Sequence, residues 1–316
     1  MSERVTVIGG GHGLAAVLAA LRDEPHELAV VVTVADDGGS SGELRRRRGG
    51  PAVGDLRRAL IALAGDHSPL ARALARPVTV EGFGRHPLGN LLIRSLADVF
   101  GDLTRAAEWL GLELGIRARV LPATIDNPTL VAEVGRGVIV GESAIATSAT
   151  AVRRLGFSPA RPRVTAAAIE AIATSDHVLL APGSLFTSVL AACALPDMVS
   201  ALAATAAPTV WISNLQGEPG ETAGMSALSH LAALQRHGVR VDAVLYDPGA
   251  QLAFAPRQLA RRQIEAIPCS LCDGQPGIHD PVLLRRALRT ILAGSREAAG
   301  AASRSRGQSA TSRPAA

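Results

Sequence analysis

Two adjacent carboxylates, Asp36 and Asp37, open the stretch of this chain that is best suited to chemistry. They follow an aliphatic run at residues 28–34, which predicts a buried parallel strand. Burying an unpaired carboxylate is very costly, so the pair is expected to face a ligand, a cation or water. A solvated turn that caps the next helix is the alternative. The preceding strand favours a site, because ligands of open α/β sheets bind beyond the carboxyl ends of the strands.

The residues after the aspartates are small, and small residues let a backbone approach a ligand closely. The ligand-binding candidates among them are Gly38, Ser40 and Ser41. A charged run follows at residues 43–48, and most of it is interpreted as a solvated face.

A glycine-rich turn near the start of the chain predicts a phosphate-binding loop. The sequence GGGHGL at residues 9–14 lies between a predicted strand, residues 4–8, and a predicted helix, residues 15–21. Such a turn presents backbone N–H groups and the positive end of a helix dipole to an anion. The candidates here are Gly9, Gly10, Gly11, His12, Gly13 and Leu14. For His12, a ligand contact and an ordinary first-turn position are equally good interpretations.

The spacing between the glycine turn and Asp36 adds to the case for a nucleotide site. A dinucleotide-binding unit places an acid roughly 20 residues after its glycine turn, where the acid holds ribose hydroxyls. The match is partial, because the pattern is GGGxG rather than GxGxxG.

A second strand–turn–helix junction follows a predicted buried strand at residues 177–180. Its glycine and hydroxyl groups suit a second phosphate or the far end of the same ligand, and the candidates are Gly183, Ser184 and Thr187. A helix N-cap by Ser184 is the alternative, and the two roles are compatible. Asn214, which follows the next predicted strand, is a further candidate for orienting the ligand.

Three polar residues lie at the starts of predicted helices between these junctions. Asp55 is interpreted as an N-cap on local grounds and is also a ligand-binding candidate. Arg57, in the first turn of the same helix, is a candidate for contact with a phosphate. Asn90 fits a cap and a ligand contact equally well.

The alternation of strand and helix patterns predicts an α/β fold, a Rossmann-like doubly wound sheet that is mainly parallel. Residues 117–155 are rich in Val, Ile and Thr and contain turns, so they predict an inserted, smaller β-rich section with antiparallel strands. Residues 1–293 are expected to form a single domain. Residues 294–316, rich in Ala, Ser and Arg without periodicity, predict a disordered tail.

Composition argues against several functional classes. All 32 basic residues are arginine, and the basic run at residues 45–48 has no aromatic neighbours, so nucleic-acid binding is not expected. Cys269 and Cys272 have CxxC spacing without a second pair, so neither a zinc site nor a redox site is expected. No apolar run approaches the roughly 20 residues of a membrane span, and no signal peptide is evident. We therefore expect a soluble cytoplasmic protein.

The ordered motifs together resemble the CofD-like gluconeogenesis-factor family, the YvcK type of UDP-sugar-binding protein. The matching stretches are GGGHGL (9–14), VTVADDGGSSGELR (32–45), GDLRRALIALA (54–64), GNLL (89–92), VGESAI (140–145), SDHVLLAPGSLFTSVL (175–190) and EPGETAGMSALSH (218–230). The resemblance covers nearly all of residues 4–247. His12 is a departure, because the family commonly has Thr there.

The resemblance implies a Rossmann-like fold with an extra subdomain, and a homodimer. Related transferases move a phospholactyl-type group from a nucleotide diphosphate donor onto a deazaflavin precursor. The DDGGSSG form is similar to the other branch, which binds UDP-glucose or UDP-N-acetylglucosamine. That branch is linked to gluconeogenic growth, cell shape and peptidoglycan synthesis.

Three functional hypotheses follow. The first is a cytoplasmic UDP-sugar-binding regulator, with no certain cofactor, no assigned catalytic residue, and cell-wall synthesis or signalling proteins as partners. The second is a transferase in which Mg²⁺ bridges Asp36 or Asp37 and the diphosphate of the donor. The third, suggested by the glycine turn and the acid alone, is an NAD-dependent oxidoreductase. It is the least favoured, because no His or Lys stands out as a hydride-transfer partner.

Overall fold

The computed structural model describes residues 2–82 and 84–293. The strands are β1 (Arg4–Gly9), β2 (Glu27–Val32), β3 (Pro77–Val80), β4 (Gly84–Pro87), β5 (Arg119–Pro122), β6 (Thr129–Val134), β7 (Gly137–Val140), β8 (Val152–Ser158), β9 (His177–Leu180), β10 (Thr209–Ile212), β11 (Ala243–Tyr246) and β12 (Glu265–Pro268). The helices are α1 (Gly11–Leu21), α2 (Gly39–Arg48), α3 (Gly54–Ala64), α4 (Pro69–Ala75), α5 (Leu88–Phe100), α6 (Leu103–Glu113), α7 (Glu142–Ala146), α8 (Ala166–Thr174), α9 (Ala191–Cys193), α10 (Pro196–Ala204), α11 (Ala227–Arg236), α12 (Pro256–Ala260) and α13, which spans residues 281–293. A π-helical segment, Leu185–Leu190, leads directly into α9. The tail predicted for residues 294–316 lies outside the described residues.

A parallel sheet of seven strands lies at the centre, in the order β5-β2-β1-β9-β10-β11-β12. Every neighbouring pair in it is parallel. Its strands are short aliphatic runs, and β9 and β10 are buried along their whole length, as expected where helices cover both faces of a sheet. The predicted α/β fold with a mainly parallel sheet is confirmed.

The chain reverses its direction of travel across the sheet between β1 and β9. Strands β1, β2 and β5 are added in one direction, and β9 to β12 are added in the other. In such doubly wound sheets the ligand crevice lies at this switch point, beyond the carboxyl ends of the two central strands. Both predicted glycine junctions begin there, because Ile8 of β1 is in register with Leu180 of β9.

The small antiparallel sheet has the order β7-β6-β8 and extends to residue 158. The expectation that residues 117–155 form antiparallel strands is wrong at its start. Residues 119–122 form β5, which pairs in parallel with β2 and belongs to the central sheet. The reason is that β5 follows α6 as a crossover strand, and Val120 and Leu121 are buried on opposite faces of the sheet. The β3–β4 hairpin was not predicted.

Two hydrophobic cores lie on the two faces of the central sheet. Val7 belongs to the first core, with α1, α3, α5, α6 and α13, whereas its neighbour Ile8 belongs to the second. This alternation follows from the two-residue period of a strand. The second core includes α8, α10 and α11 and the inner side of the antiparallel sheet, for example Leu130 and Val152. The antiparallel section is therefore anchored beside the switch point.

Among the described residues, no single helix combines the length and the apolar composition needed to cross a membrane. Two consecutive helical stretches, Leu185–Cys193 and Pro196–Ala204, reach that length only as a pair, and they meet at 68°. Leu190 and Met198 in these stretches are fully buried in the second core.

Candidate functional site

The glycine turn after β1 needs its small residues for close packing. Gly10 is the N-cap of α1, and Gly11 has φ +65°. A Cβ at Gly10 would lie 2.5 Å from Thr33 Cγ2 and 2.6 Å from Asp55 Oδ2. The turn is therefore held against the end of β2 and against α3, with the N-terminus of α1 open toward the crevice.

The same turn also packs against the junction after β9. A Cβ at Gly13 would overlap the carbonyl oxygen of Pro182, and one at Gly9 would lie 3.0 Å from Ala181 Cβ. The two junctions singled out in the sequence are thus in direct contact. Their other members differ in exposure, since His12 is exposed and Leu14 is buried in the first core.

Asn214 holds the second junction in shape. Its Oδ1 accepts a hydrogen bond from Gly183 N at 2.9 Å, and its Nδ2 donates to Gly183 O, also at 2.9 Å. Gly183 has φ +139°, a conformation that favours glycine. Asn214 is 8% exposed, so its side chain is used within the loop. Ser184 is half-buried and precedes the π-helical segment as its N-cap, without a side-chain capping bond.

A carboxylate that the sequence analysis did not single out caps the N-terminus of the π-helical segment. Glu221, 1% exposed, accepts hydrogen bonds from Phe186 N at 2.8 Å and Thr187 N at 3.1 Å. Burial raises the pKa of Glu221 to about 7, and these hydrogen bonds oppose the rise. Of the candidate residues at this junction, Gly183 and Thr187 therefore already use their N–H groups within the protein. The sequence feature that could have identified Glu221 is its position in the polar loop that follows β10.

Asp36 and Asp37 have different surroundings. Asp37 accepts hydrogen bonds from Glu142 N at 2.8 Å and Ser143 N at 2.9 Å, which lie at the start of α7. It therefore joins the end of β2 to the antiparallel section. Asp36 Oδ1 accepts a hydrogen bond from Gly38 N at 2.8 Å, within its own turn.

Arg45 fixes the same loop from α2. Its guanidinium donates to the carbonyl oxygens of Ala35, Asp36 and Pro128 at 2.8, 2.9 and 2.9 Å. Burial lowers the pKa of Arg45, and the neighbouring aspartates oppose this change. The interpretation of the charged run as a solvated face holds for residues 46–48, which are exposed, and is wrong for Arg45.

Asp55 is not the N-cap of α3, because the helix begins at Gly54 and its N-cap is Val53. Its carboxylate is 7% exposed, forms an ion pair with Arg58 and accepts a hydrogen bond from the backbone of Gly11. Burial raises the pKa of Asp55, and the ion pair opposes the rise. A buried acid from α3 thus lies at the first turn of α1.

A chain of polar side chains extends from α3 to β4. Arg57 Nε donates to Asn90 Oδ1 at 2.9 Å, Asn90 Nδ2 donates to Ser40 Oγ at 3.0 Å, and Ser40 Oγ lies 2.8 Å from His86 Nδ1. A guanidinium only donates, so the Asn90 oxygen must face Arg57 and its amide must face Ser40.

This chain brings three candidates from separate motifs together and adds His86, which the sequence analysis passed over. His86 and Asn90 are each 2% exposed. Asn90 lies inside the first turn of α5, whose N-cap is Pro87, so the interpretation of Asn90 as a cap is wrong. Ser41, beside this chain, is buried against Gly54 at the start of α3.

Three of the four carboxylate oxygens of the aspartate pair already accept backbone N–H groups. They are both oxygens of Asp37 and Oδ1 of Asp36, so Asp36 Oδ2 is the oxygen left open to a cation. Within residues 2–82 and 84–293, no group of three His, Cys, Asp or Glu side chains has an arrangement that could hold a metal ion.

Three clefts lie on the carboxyl side of the central sheet. One, of about 480 Å³, lies beside Asp37 and is also lined by Arg45, Asn127 and Gly141. A second, of about 410 Å³, lies beyond β10 to β12 and is lined by residues that include Asp247. A third, of about 540 Å³, is lined by the polar loop after β10, including Glu218. A larger depression, of about 660 Å³, lies near His26 at the amino edge, away from every candidate residue.

Known proteins match this chain over most of its length. The family model described as 2-phospho-L-lactate transferase CofD matches residues 5–266. A relative from Mycobacterium tuberculosis is 38% identical over 314 residues, covering 93% of this chain and 91% of its own. A protein from Bacillus subtilis named gluconeogenesis factor is 35% identical, with 74% of each chain covered. A crystal structure of a UPF0052-family protein from Bacillus halodurans has a TM-score of 0.86 at 30% identity, covering 91% of this chain and 98% of that one.

Proposed function

The chain belongs to the CofD family, with gluconeogenesis factors among its relatives, and from that premise we propose that it is a nucleotide-sugar-binding regulator. Its ligand is UDP-glucose or UDP-N-acetylglucosamine. It acts in the cytoplasm and is needed for cell shape and peptidoglycan synthesis during gluconeogenic growth. Its partners are proteins of cell-wall synthesis or signalling, and a second copy of the chain in a homodimer.

The observation that carries the proposal is the position of the glycine turn at the switch point of the sheet. The first turn of α1 begins at Gly11, next to the carboxyl ends of β1 and β9. The first N–H groups of a helix have no partner within the helix, and they suit an anion. Asp55 takes the Gly11 N–H, so the N–H groups of His12 and Gly13 are the ones offered to a diphosphate.

Groups around this turn supply the remaining contacts. Asp36, half-buried at the end of the β2 loop, is placed to accept hydrogen bonds from hydroxyls of the nucleoside. The polar chain of Arg57, Asn90 and Ser40 offers a cation and hydrogen-bonding groups beside it. Together with the glycine turn, these groups support recognition of the diphosphate and of the nucleoside hydroxyls.

The two other hypotheses are less well supported. A Mg²⁺-dependent transferase would have to hold the ion mainly through Asp36, because both oxygens of Asp37 accept N–H groups at the start of α7. An NAD-dependent oxidoreductase rests on the partial glycine pattern and the acid at Asp36 alone, and the family that matches is a different one.

The proposal is tested by thermal unfolding with UDP-glucose, UDP-N-acetylglucosamine, UDP, GDP and NAD, each with and without Mg²⁺. A ligand that binds only the native state raises stability by about 2.7 kcal/mol at a hundredfold excess over Kd. We expect the UDP-sugars to stabilise the protein equally with and without Mg²⁺. Stabilisation by GDP that depends on Mg²⁺ would favour the transferase, and stabilisation by NAD alone would favour the oxidoreductase.

A matched pair of variants then tests the site. In Asp36→Asn the remaining oxygen can still accept from Gly38 N, while the charge is lost. We expect the Kd for a UDP-sugar to rise about tenfold or more, because a hydrogen bond to a charged group contributes roughly 1.5–3 kcal/mol. The control is Asp176→Asn, which also accepts a backbone N–H, from Arg4, but lies at the amino edge of the sheet. An unchanged Kd in Asp36→Asn would contradict the proposed site.

A further inference from the structure

Glu142, at the start of α7, lies beside the loop after β2 that carries Asp36, a residue of the proposed ligand site. A Cβ at Gly38 would lie 3.9 Å from Glu142 Oε2, so the carboxyl group lies over the loop after β2. Four other carboxyl groups interact with it electrostatically. They are those of Asp36, Asp37, Asp55 and Glu221.

The four neighbouring carboxyl groups are each compensated by hydrogen bonds or by an ion pair. Asp37 and Glu221 each accept hydrogen bonds from two backbone N–H groups. Asp36 accepts one hydrogen bond from a backbone N–H. Asp55 forms an ion pair with Arg58. Such contacts stabilise the charged form of a carboxylate and use its oxygens within the protein. Burial still raises the pKa of Glu221 to about 7, so Glu221 is tested as the competing group below.

Glu142 has much weaker compensation. The hydrogen bond recorded for its carboxylate is a long one, from Ser143 Oγ at 3.4 Å. No ion pair involves Glu142 within residues 2–82 and 84–293. Arg45, the guanidinium on the facing helix, donates to three carbonyl oxygens. Of the five carboxyl groups, Glu142 is therefore the one whose oxygens accept neither a backbone N–H group nor an arginine among the described residues, which leaves them free to take up a proton and to contact a ligand.

The charge balance of the site supports the same view. Burial raises the pKa of Glu142 to about 7, and the charges of Asp36, Asp37, Asp55 and Glu221 add to the rise. A UDP-sugar brings two further negative charges on its diphosphate. Like charges disfavour an ionised carboxylate, so the arrival of the ligand favours the neutral form of Glu142 still more.

We propose that Glu142 is a ligand-site residue that takes up a proton when a nucleoside diphosphate sugar binds, and that its neutral carboxyl group donates a hydrogen bond to the ligand. Binding is then coupled to pH. This inference rests on the proposed function, because it requires an anionic ligand at the glycine turn. It adds a residue and a means of regulation to that site.

The linkage sets the shape of the pH dependence. Below pH about 7 Glu142 is largely protonated in the free protein, so the Kd hardly changes with pH. Above that value each binding event must bring a proton, and the Kd rises up to about tenfold per pH unit. A cell that becomes more alkaline would thus release the ligand without any change in ligand concentration.

Isothermal titration calorimetry with UDP-N-acetylglucosamine tests this coupling directly. Both phosphates of this ligand are esterified and do not titrate near neutrality, so any proton taken up is bound by the protein. Titrations at pH 7.5 in HEPES and in Tris, which differ in ionisation enthalpy, give the number of protons. We expect between about half and one proton per ligand in the wild-type protein. Binding without proton uptake would overturn the inference and leave the proposed function standing.

Two variants identify the group. In Glu142→Gln we expect proton uptake near zero and a Kd that stays constant between pH 6 and 8.5, since the amide mimics the neutral acid. Glu133→Gln, an exposed carboxylate in the same antiparallel section, is the control and should keep the wild-type uptake. Uptake that persists in Glu142→Gln but disappears in Glu221→Gln would assign the proton to the other glutamate and overturn the inference. If the wild-type protein binds no nucleotide sugar at any pH, both this inference and the proposed function fail.

Discussion

At the switch point of the sheet two helix N-termini lie side by side, one after β1 and one after β9. They differ in how acidic side chains accept their N–H groups. After β9, Glu221 uses both carboxylate oxygens to accept the N–H groups of Phe186 and Thr187. After β1, Asp55 accepts from Gly11 but is also paired with Arg58, and no hydrogen bond from the N–H groups of His12 and Gly13 is found among the described residues. The junction after β1 is therefore the one of the two that we propose to bind an anion.

The difference lies in acids supplied by distant segments, because both junctions consist of a strand, a glycine and a helix. A buried carboxylate that accepts two N–H groups is a structural substitute for a bound anion. The junction after β9 is therefore a rigid support for the junction after β1. The predictions below test this division of roles, beginning with the largest expected effect.

Replacing the internal carboxylate should damage the supporting junction most. In Glu221→Ala the N–H groups of Phe186 and Thr187 lose their acceptors in a buried place. Each unsatisfied buried donor costs roughly 1–3 kcal/mol, so we expect the free energy of unfolding to fall by about 3–4 kcal/mol in urea denaturation at pH 7. The control is Glu218→Ala in the same loop, where Glu218 bonds Thr222 through its backbone. A loss below about 1 kcal/mol in Glu221→Ala would mean that the junction after β9 does not depend on this acid.

The contact between the two junctions should be nearly as sensitive. In Gly13→Ala the new Cβ meets the backbone carbonyl of Pro182, which cannot rotate away as a side chain could. We expect a loss of about 2–3 kcal/mol in the free energy of unfolding, as for other overpacked sites. Gly217→Ala is the matched control, because a Cβ there meets nothing within 4 Å. Equal stability of the two variants would separate the junctions and contradict the supporting role.

Much of this architecture could be predicted from local sequence patterns. The aliphatic run at β2 predicted a buried parallel strand, and those at β1 and β9 predicted strands that end in glycine turns. The second turn was predicted to suit a second phosphate or the far end of the same ligand. Strand β5 was assigned to the wrong sheet, because its four residues carry no mark of which strand they pair with. A strand's partner depends on the crossover that precedes it.

The contacts that distinguish the two junctions could not be predicted in the same way. Asp37 bonds to Glu142 N across 105 residues of sequence, and Glu221 bonds to Phe186 N across 35. The 46 residues between Ser40 and His86 likewise separate two side chains that touch. A local pattern shows that a carboxylate follows a strand, but only the folded chain shows whether an N–H group or a ligand meets it.

A pH titration would sharpen the comparison at the supporting junction. Burial raises the pKa of Glu221 from its ordinary value of 4.5 to about 7 in the folded protein. Between these values the folded state holds more protons than the unfolded state, so this group's contribution to stability falls as pH rises. Glu221→Gln mimics the neutral acid, so its stability relative to wild type should rise by about 2 kcal/mol between pH 5 and pH 7.5.

The measured quantity is the difference in the free energy of unfolding between Glu221→Gln and wild type at each pH. Burial lowers the pKa of His177, His230, His237 and His279, and these groups stabilise the folded state as pH rises. They contribute equally to both proteins and cancel in the difference. A difference that stays flat from pH 5 to pH 7.5 would show that Glu221 is already ionised throughout, with its two N–H partners outweighing its burial.

The smallest effect is expected at Asp37, which fills a third helix N-terminus, that of α7. It resembles Glu221 in accepting two backbone N–H groups from a distant segment, but it is half-buried and α7 has only five residues. Loss of a capping side chain at a partly solvated helix end costs roughly 1 kcal/mol, because water replaces part of the lost bonding. We therefore expect Asp37→Ala to lower the free energy of unfolding by about 1 kcal/mol.

Hydrogen exchange would show where that loss falls. If Asp37 mainly anchors the antiparallel section, exchange in Asp37→Ala should accelerate at Glu142 and Ser143, whose N–H groups it accepts, and remain slow in β1 and β9. Asp37→Asn, which keeps one acceptor oxygen, should give an intermediate rate. If exchange at α7 is unchanged while UDP-sugar affinity collapses, Asp37 contacts the ligand directly, and the open region would extend from the junction after β1 to the end of β2.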